Sequence, residues 1–338
     1  MAGDHFIVIG NGPAGSQAAF TLREKAPEAN VTIITREREG CCHSHLLPKF
    51  LAGTVSKNDL FAISFDDYIK KGIKLRTGQS VVNVDIYKRE VLLDHKEILP
   101  FSGLIIAVGG KPRIPEPLLI FKDLLYPLKT FNETTIWQEK LLNVDSILML
   151  GGDLTSLSVT KALLTLGKKI YFMLNEDAFW PLRFNKTLYK DVSRKLTEKG
   201  VEVLTGLKIK SIARISEDVC RVRIDDQEIE AGMIGAFFGL VPDVKFLVRS
   251  GLQIDRGILV DEYLFTGIEG IYATGDCAQI YHPELHDYWI SIGTKNAKAL
   301  GLLAAVNLLG GMEKTKVSKE SIFDVDGIKV NTSWWSEF

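Results

Sequence analysis

The sequence predicts an α/β fold that contains two similar strand–helix–strand units. In the first unit, an apolar strand at residues 6–9 leads into the turn Gly10-Asn11-Gly12-Pro13-Ala14-Gly15, and a helix and a second strand follow. The same order of elements begins again about 140 residues later, with an apolar strand at residues 146–150 and a glycine turn at residues 151–156. A chain of 338 residues, 46% of them hydrophobic, can supply a core for each unit.

The first glycine turn has the pattern and the surroundings of a nucleotide site. Gly10 permits a tight turn out of the strand, Gly12 lets the backbone approach a pyrophosphate, and Gly15 lets the helix pack closely on the strand. Pro13 and Ala14 begin the helix, whose amino terminus offers N–H groups and the positive end of the helix dipole to an anion. The turn therefore predicts a bound dinucleotide.

The second glycine turn departs from this pattern. Gly151 and Gly152 are present, but Asp153 stands where the second glycine of the pattern is expected. A carboxylate there would face a pyrophosphate, and two like charges ~5 Å apart repel by roughly 3 kcal/mol at an effective dielectric constant near 20. Alternatively, Asp153 caps its own helix and the unit keeps the fold without the ligand.

Each unit has an acidic residue after its second strand, where a dinucleotide site holds the ribose hydroxyls. Glu37 comes a little late for that role, so it either binds the ribose or is a solvated surface carboxylate. Glu176 has no adjacent arginine, which favours NADH over NADPH if the second unit binds a nucleotide. The candidate NADH contacts are Gly151, Gly152, Asp153, Leu154, Glu176 and Gly239.

Composition excludes several classes of protein. The formal net charge of -1 and the lack of a basic block argue against nucleic acid as a partner. No apolar run approaches the roughly 20 residues that span a bilayer. The four cysteines, Cys41, Cys42, Cys220 and Cys277, do not form a disulfide framework in a chain of this length, so we expect a reducing cytoplasm.

Four motifs in a fixed order make the chain resemble a known family. They are Gly10 to Gly15, Ala107-Val108-Gly109-Gly110, Gly239-Leu240-Val241-Pro242 and Ala273-Thr274-Gly275-Asp276. Together they resemble the motifs of the FAD-dependent pyridine nucleotide-disulfide oxidoreductases, over roughly residues 5 to 312. Within this family the chain is most similar to the branch of NADH-rubredoxin reductases, NADH oxidases and the flavin part of assimilatory nitrite reductases.

The resemblance implies that FAD binds in the first unit. Asp276 would bond the ribityl or pyrophosphate region, with a helix beginning near Ala278 that aims its amino terminus at the flavin. Val81 would touch the adenine through its backbone, or be a plain core valine. Besides the first glycine turn and Glu37, the implied FAD contacts are Ser44, His45, Val81, Ala107, Val108, Gly109, Gly275 and Asp276.

The resemblance also implies the domain layout. Residues 1–112 and 243–312 would form the FAD-binding domain, and residues 113–242 would be an NAD(P)H-binding-like domain inserted into it. Residues 313–338 would be a short remnant of the interface domain through which relatives form dimers. The flavin would then be open to a protein electron carrier.

Family members place an arginine and a proline beside the flavin where this chain has Ser44 and His45. Lys49 matches a flavin-proximal lysine of some relatives, whose charge would favour the reduced anion; otherwise it is a surface lysine. Cys42 precedes the position of the redox cysteine in single-cysteine relatives, so it is either redox-active or a bystander thiol. No CxxC or CxxxxC dithiol occurs, which disfavours disulfide reduction.

These features predict an FAD oxidoreductase that takes a hydride from NADH and passes electrons singly to a rubredoxin or a ferredoxin-like iron–sulfur protein. One alternative is a flavin-binding electron-transfer subunit of a larger complex with a degenerate NAD site. The other is a thiol-dependent NADH peroxidase or disulfide reductase that uses Cys42. The protein would be a homodimer or a complex subunit. We predict no metal site, because no set of cysteines or carboxylates completes one with His282 and His286.

Overall fold

The computed structural model describes residues 3–61, 63–174, 186–284, 286–291, 293–316, 322–325 and 328–331. The candidate NADH contact Glu176 lies outside these residues, so its predicted role is not addressed by the structure. Among the described helices, none is both long enough and apolar enough to cross a membrane.

Strands and helices alternate along most of the described chain. The strands are β1 (His5–Ile9), β2 (Asn30–Ile34), β3 (Ile73–Arg76), β4 (Val81–Asp85), β5 (Glu90–Leu93), β6 (Ile98–Pro100), β7 (Gly103–Ile106), β8 (Gly110–Pro112), β9 (Leu125–Tyr126), β10 (Ser146–Gly151), β11 (Lys169–Leu174), β12 (Glu202–Thr205), β13 (Ile209–Ser216), β14 (Val219–Ile224), β15 (Gln227–Ala231), β16 (Met233–Phe237), β17 (Leu240–Pro242), β18 (Ile258–Val260), β19 (Ile271–Ala273), β20 (Ala278–His282), β21 (Asp287–Ile290), β22 (Ile322–Val325) and β23 (Ile328–Asn331). The α-helices are α1 (Pro13–Lys25), α2 (Leu47–Leu51), α3 (Lys57–Leu60), α4 (Phe65–Lys70), α5 (Phe131–Leu141), α6 (Leu154–Thr165), α7 (Lys186–Glu198) and α8 (Thr294–Leu308). Short 3-10 helices form at Ser44–Leu46, Glu116–Leu124, Lys245–Leu247 and Gly275–Cys277.

Residue contacts divide the chain into two compact units. Unit 1 comprises the described residues of Met1–His43, Phe61–Lys111 and Val241–Lys316, and unit 2 comprises those of Ser44–Leu60, Pro112–Leu240 and Val317–Phe338. The segment Ser44–Leu60, which the sequence analysis assigns to the FAD-binding domain, groups with unit 2 because its helix α2 packs on α5 and α6.

A five-stranded parallel sheet forms the centre of unit 1, in the order β19-β7-β1-β2-β3. Every residue from Phe6 to Ile9 is buried, as expected for a continuous apolar run in a central parallel strand. Helix α1 follows β1 and packs on β2 and on α8. The α1–α8 crossing is close, since a side chain at Gly301 would clash with the carbonyl oxygen of Ala14.

Unit 1 also contains two smaller three-stranded sheets. Strands β4, β5 and β6 form an antiparallel sheet. Strand β20 pairs in parallel with β18 and antiparallel with β21. Strands β20 and β21 lie in the sequence between the Gly275-Asp276 motif and α8, whereas β18 precedes the motif.

The expectation of a helix beginning near Ala278 is wrong. Asp276 lies in the short 3-10 helix Gly275–Cys277, and Ala278 begins strand β20. The backbone groups of β20 pair with a neighbouring strand on each edge, so the sheet already satisfies the hydrogen bonds that a helix would have supplied. The α-helix of this region, α8, begins at Thr294.

The second five-stranded parallel sheet, in the order β12-β11-β10-β16-β9, forms the centre of unit 2. The indole N–H of the fully buried Trp137 donates to the carbonyl oxygen of Pro127 at 3.1 Å, and its ring lies 5.9 Å from the ring of Phe237. An antiparallel sheet of β13, β14 and β15 and the antiparallel pair of β22 and β23 also belong to the unit. Two parallel sheets with the repeated strand–helix–strand order confirm the predicted α/β fold.

Candidate functional site

The first glycine turn leaves the carboxyl end of β1 at a close contact with the loop after β7. Gly10 has a φ of +103°, and a Cβ atom there would clash with the carbonyl oxygen of Ala107. A Cβ atom on Gly15 would clash with the carbonyl oxygen of Gly10. Both positions therefore require glycine for the fold itself.

Gly12 is different, because a Cβ atom built on it would have no heavy atom within 4 Å. The fold does not need glycine at this position, and the turn leaves open space in front of it. Gly12 is also the N-cap residue of α1, with extended backbone angles and no side-chain cap. This is the space that a pyrophosphate would need.

The amino terminus of α1 is suited to an anion. Pro13 occupies the first turn of the helix, where its lack of an N–H costs nothing. Ser16 donates both its backbone N–H and its hydroxyl to the carbonyl oxygen of Gly12, each at 2.9 Å, and so holds the turn in place. No side chain caps the helix, so the first-turn N–H groups and the helix dipole face the open space beside Gly12.

Two further segments of unit 1 meet this turn at the carboxyl ends of the strands. The N–H of Ala107 donates to the carbonyl oxygen of Ile9 at 2.8 Å, directly after β7. Gly109 has a φ of +64°, and a Cβ atom there would have no heavy atom within 4 Å. The turn and the segment that contains Ala107, Val108 and Gly109 thus border the same edge of the sheet.

The third segment is Thr274-Gly275-Asp276, after β19. The N–H of Thr274 donates to the carbonyl oxygen of Ile106 at 2.9 Å, and a Cβ atom on Gly275 would lie 3.0 Å from that of Ala14. Asp276 is half-buried in the 3-10 helix that follows. The structure therefore brings Gly275 to the first turn of α1, with Asp276 next to it in the chain, while their roles as FAD contacts stay predictions.

The candidate adenosine end lies after β2. Glu37 is exposed, and its carbonyl oxygen accepts the N–H of Gly78 at 3.1 Å. The N–H of Gln79 donates to the carbonyl oxygen of Thr35 at 3.0 Å, which leads the chain into β4. Val81, the first residue of β4, is buried. The backbone of Glu37 thus bonds to the connection between β3 and β4, which ends at Val81. The roles of Glu37 and Val81 as ribose and adenine contacts stay predictions.

A buried polar cluster supports the first glycine turn, and the sequence analysis missed it. The hydroxyl of Tyr68 donates to Oδ1 of Asn11 at 2.9 Å, and both side chains are buried. The hydroxyl of Ser16 lies 3.4 Å from Sγ of Cys41. Burial raises the pKa of the Cys41 thiol, so this cysteine is a packing group and not a thiolate. Asn11 is part of the glycine motif, but nothing in the sequence marks Tyr68 as its partner.

In unit 2 the corresponding turn is closed by its own side chain. Gly151 has a φ of +99°, and the N–H of Gly152 donates to the carbonyl oxygen of Phe237 at 2.7 Å. Asp153 is the N-cap residue of α6, where its Oδ1 accepts the N–H of Ser156 at 2.8 Å. The sequence leaves two roles open for Asp153, and in the structure its side chain caps helix α6.

The same carboxyl group reaches a second loop. Oδ2 of Asp153 accepts the N–H of Gly239 at 3.3 Å, just after β16. Burial raises the pKa of this carboxyl group to about 6, against the lowering effect of the N–H groups of Ser156, Gly239 and Thr155. Leu154 is the first residue of α6 and is half-buried.

A sequence profile of the family described as pyridine nucleotide-disulphide oxidoreductase matches residues 4–294, most of the chain. The chain belongs to this family. It is an enzyme of a family whose members typically bind FAD and take electrons from NAD(P)H, and the family predicted from the sequence is confirmed.

Curated relatives include reductases of small electron carriers. The chain is 26% identical over 310 residues to putidaredoxin reductase CamA of Pseudomonas putida, which covers 86% of this chain and 70% of the relative. It is 24% identical to the rubredoxin-NAD(+) reductase of Ectopseudomonas oleovorans, over 82% of this chain and 72% of the relative. It is also 26% identical to the assimilatory nitrate reductase electron transfer subunit of Bacillus subtilis, but spans only 36% of that protein.

Solved structures agree on the fold. A covalent complex of putidaredoxin reductase with putidaredoxin matches with a TM-score of 0.84 and 23% identity, over 97% of this chain and 80% of that one. A water-forming NADH oxidase from Lactobacillus brevis, bound to NADH, matches with a TM-score of 0.86 and 19% identity, over 96% of this chain and 73% of that one. The two-lobed fold of the family therefore extends over nearly the whole chain.

The predicted flavin-proximal residues of this family member lie in unit 2. Ser44 and His45 form part of the 3-10 helix before α2, and His45 is exposed. Lys49 is exposed on α2, whose Leu47 and Leu51 are buried. These three residues thus lie outside the group that surrounds the first glycine turn within unit 1, and their contact with a flavin stays a prediction.

The cysteines differ in their surroundings. Cys42 is half-buried and forms an isolated antiparallel bridge with Phe61. Cys277 is fully buried, and burial raises the pKa of its thiol to about 11. Cys220 lies buried in β14, and burial raises the pKa of its thiol as well. Of the cysteines, Cys42 is therefore the more accessible candidate for thiol chemistry.

Proposed function

We propose that this protein binds FAD in unit 1 and transfers electrons from NADH, through the flavin, to a rubredoxin or a ferredoxin-like iron–sulfur protein. The observation that carries the proposal is the uncapped amino terminus of α1, with open space at Gly12 and with Ala107 and Gly275 beside it. The identity of the acceptor class is supported by the similar relatives, which are named as reductases of putidaredoxin and rubredoxin.

The residues of unit 1 fit an FAD molecule that lies along the sheet edge. The first-turn N–H groups of α1 would bind the pyrophosphate. Glu37, exposed after β2, would accept hydrogen bonds from the adenosine ribose, and the backbone of Val81 would contact the adenine. Asp276 would bind the ribityl region, where its half-buried carboxylate can accept hydroxyl hydrogens.

When bound, FAD can accept a hydride, two electrons and a proton, from NADH and release the electrons one at a time to a one-electron carrier. The protein contributes position and electrostatics. Lys49 is exposed and its ammonium would favour negative charge on the reduced ring, while Ser44 and His45 would border the ring with little positive charge of their own. Unit 2 would supply the NADH site through its glycine turn.

An anaerobic titration of the FAD-loaded protein with NADH tests this function. We expect the flavin absorbance band to bleach with one equivalent of NADH and to recover when oxidised rubredoxin or an oxidised iron–sulfur protein is added. NADPH serves as the comparison, and NADH is expected to be the better donor. A protein that holds FAD but bleaches with neither nucleotide would refute the proposal.

One observation favours a second candidate, a flavin-binding electron-transfer subunit that does not react with NADH directly. The turn of unit 2 that should hold the nucleotide is occupied by the Asp153 carboxylate. In that case dithionite would bleach the flavin and NADH would not.

The substitution Cys42→Ser tests the alternative of a thiol-dependent enzyme. It should lower the NADH-dependent rate only if the protein uses this thiol.

A further inference from the structure

We propose that Asp153 is an internal competitor of the nucleotide: its carboxylate occupies the backbone donors of the unit 2 glycine turn and thereby sets the affinity of this unit for pyrophosphate-containing ligands. The inference rests on the proposed use of unit 2 as the NADH site. It names Asp153 as the residue that determines how strongly that site binds.

The carboxylate makes the contacts that a bound anion would make. Oδ1 accepts the N–H of Ser156 in the first turn of α6, at 2.8 Å, and Oδ2 accepts the N–H of Gly239 in the loop after β16, at 3.3 Å. The group thus bridges the two loops that border the carboxyl ends of β10 and β16. A phosphate that approached this helix terminus would meet donors already in use and a negative charge.

The first glycine turn of the same chain is the natural comparison. Gly12 and Asp153 are both N-cap residues, and their backbone angles are nearly equal, with φ and ψ of -75° and -175° for Gly12 and -80° and 175° for Asp153. The backbone of the N-cap residue is therefore nearly the same in both turns, and the difference at this position is the side chain. At Gly12 the space is open, whereas at Asp153 the carboxylate is folded back onto its own helix.

A nucleotide can bind in this turn only after the carboxylate leaves. Its departure breaks two hydrogen bonds to a charged acceptor, which are stronger than hydrogen bonds between neutral groups. Removal of the side chain should therefore raise the affinity for a pyrophosphate ligand by about tenfold or more.

The test uses ADP-ribose, which carries the pyrophosphate but cannot reduce a flavin. Its binding to the FAD-loaded full chain is measured by calorimetry for the wild type, for Asp153→Gly and for Asp153→Asn. Glycine is well tolerated at an N-cap, so Asp153→Gly should fold. We expect at least tenfold tighter binding for Asp153→Gly, and a smaller gain for Asp153→Asn, whose amide still fills the turn.

Equal affinity of the wild type and Asp153→Gly, within twofold, would overturn the inference. If Asp153→Gly does not fold, Asp153→Ser replaces it, because serine caps a helix without a charge. The matched control is Asp123→Gly, at an exposed position, which should leave ADP-ribose binding unchanged. Tighter ADP-ribose binding without any bleaching by NADH would uphold this inference and refute the proposed function, whereas bleaching with equal affinities would do the reverse.

Discussion

The substitution Gly12→Ala should weaken FAD binding while leaving the stability of the FAD-free protein nearly unchanged. In the protein without FAD, a Cβ atom on Gly12 meets no heavy atom within 4 Å, and the backbone angles suit alanine. Alanine is a poorer N-cap than glycine by about 0.5 to 1 kcal/mol, but it reduces the entropy of the unfolded chain by about 0.4 to 1 kcal/mol. The two effects offset each other, so we expect the free energy of unfolding to stay within about 0.5 kcal/mol of the wild type.

The effect on FAD should be much larger. The methyl group would lie in the open space in front of α1, where the pyrophosphate is proposed to contact the first-turn N–H groups. Loss of one hydrogen bond to a charged phosphate costs about 1.5 to 3 kcal/mol. This corresponds to an FAD affinity that is about 10- to 100-fold weaker.

FAD affinity and thermal stability are both measured on the wild type and on Gly12→Ala. FAD affinity is measured by quenching of flavin fluorescence on titration into the FAD-free protein. Stability is measured by thermal unfolding of that protein, where a change of 0.5 kcal/mol corresponds to about 1 to 2 °C in a chain of this size class. FAD affinity unchanged within twofold in Gly12→Ala would mean that the cofactor does not lie against this turn.

Gly10→Ala serves as a control, because it should destabilise the fold even without FAD. Its φ of +103° and the clash with the carbonyl oxygen of Ala107 should lower the free energy of unfolding by at least about 2 kcal/mol even without FAD. A stable Gly10→Ala variant would show that the turn can rearrange, and would remove the basis for the Gly12 prediction as well.

Three further predictions concern the packing around the two turns. Burial in the folded protein raises the pKa of the Asp153 carboxyl group from its ordinary 3.8 to about 6, so between these values the folded protein holds a proton that the unfolded chain releases. As the pH rises from 4 to 7, the wild type should therefore lose up to about 3 kcal/mol of unfolding free energy relative to Asp153→Asn, measured by chemical denaturation. Gly301→Ala should lower the free energy of unfolding by about 1 to 3 kcal/mol, measured the same way, because its Cβ atom would clash with the carbonyl oxygen of Ala14. Tyr68→Phe should lower it by about 1 to 3 kcal/mol and weaken FAD binding, because the buried Oδ1 of Asn11 loses its donor.

Substitutions at exposed residues serve as controls for these three variants. Asp123→Asn should have the pH profile of the wild type, and Leu302→Ala and Tyr87→Phe should change the free energy of unfolding by less than about 0.5 kcal/mol. A flat difference between Asp153→Asn and the wild type across this pH range would contradict the raised pKa. Full stability of Gly301→Ala or Tyr68→Phe would contradict the close helix crossing or the buried hydrogen bond.

Both parallel sheets could be predicted from the sequence because their signals are local. The central strands β1 and β10 are continuous apolar runs, and each ends at a glycine that must have a positive φ, Gly10 or Gly151. A strand buried on both faces followed by such a turn has few alternatives in a chain of this length. The repeated pattern then fixes the number of lobes.

The region after Asp276 could not be predicted in this way. Strand β20 forms because β18, about 20 residues earlier in the chain, pairs with one edge and β21 pairs with the other. Neither partner is visible from the local pattern of Ala278–His282, and the start of the helix at Thr294 depends on where this sheet ends. The helix that the resemblance implies therefore begins later than expected, after the strands of this sheet.

The role of Asp153 shows the same limit within the site. A carboxylate at an N-cap of a glycine turn is equally compatible with a helix cap and with a residue that faces a ligand. The structure shows the cap through the N–H of Ser156, and it adds a contact that the local sequence does not reveal, with the N–H of Gly239, 86 residues away. The pair of Tyr68 and Asn11, 57 residues apart, is likewise a contact that no spacing rule reveals.

The order of the elements has a consequence for biosynthesis. The edge strand β19, and Gly275 and Gly301, which contact the first turn of α1 at Ala14, come after the main segment of unit 2 in the sequence. A nascent chain emerging from the ribosome can therefore complete the sheet of unit 2 while that of unit 1 still lacks β19. Loading of the proposed FAD would then belong to the last stage of maturation, and a chain truncated before Ile271 should accumulate as an apoprotein with one finished lobe.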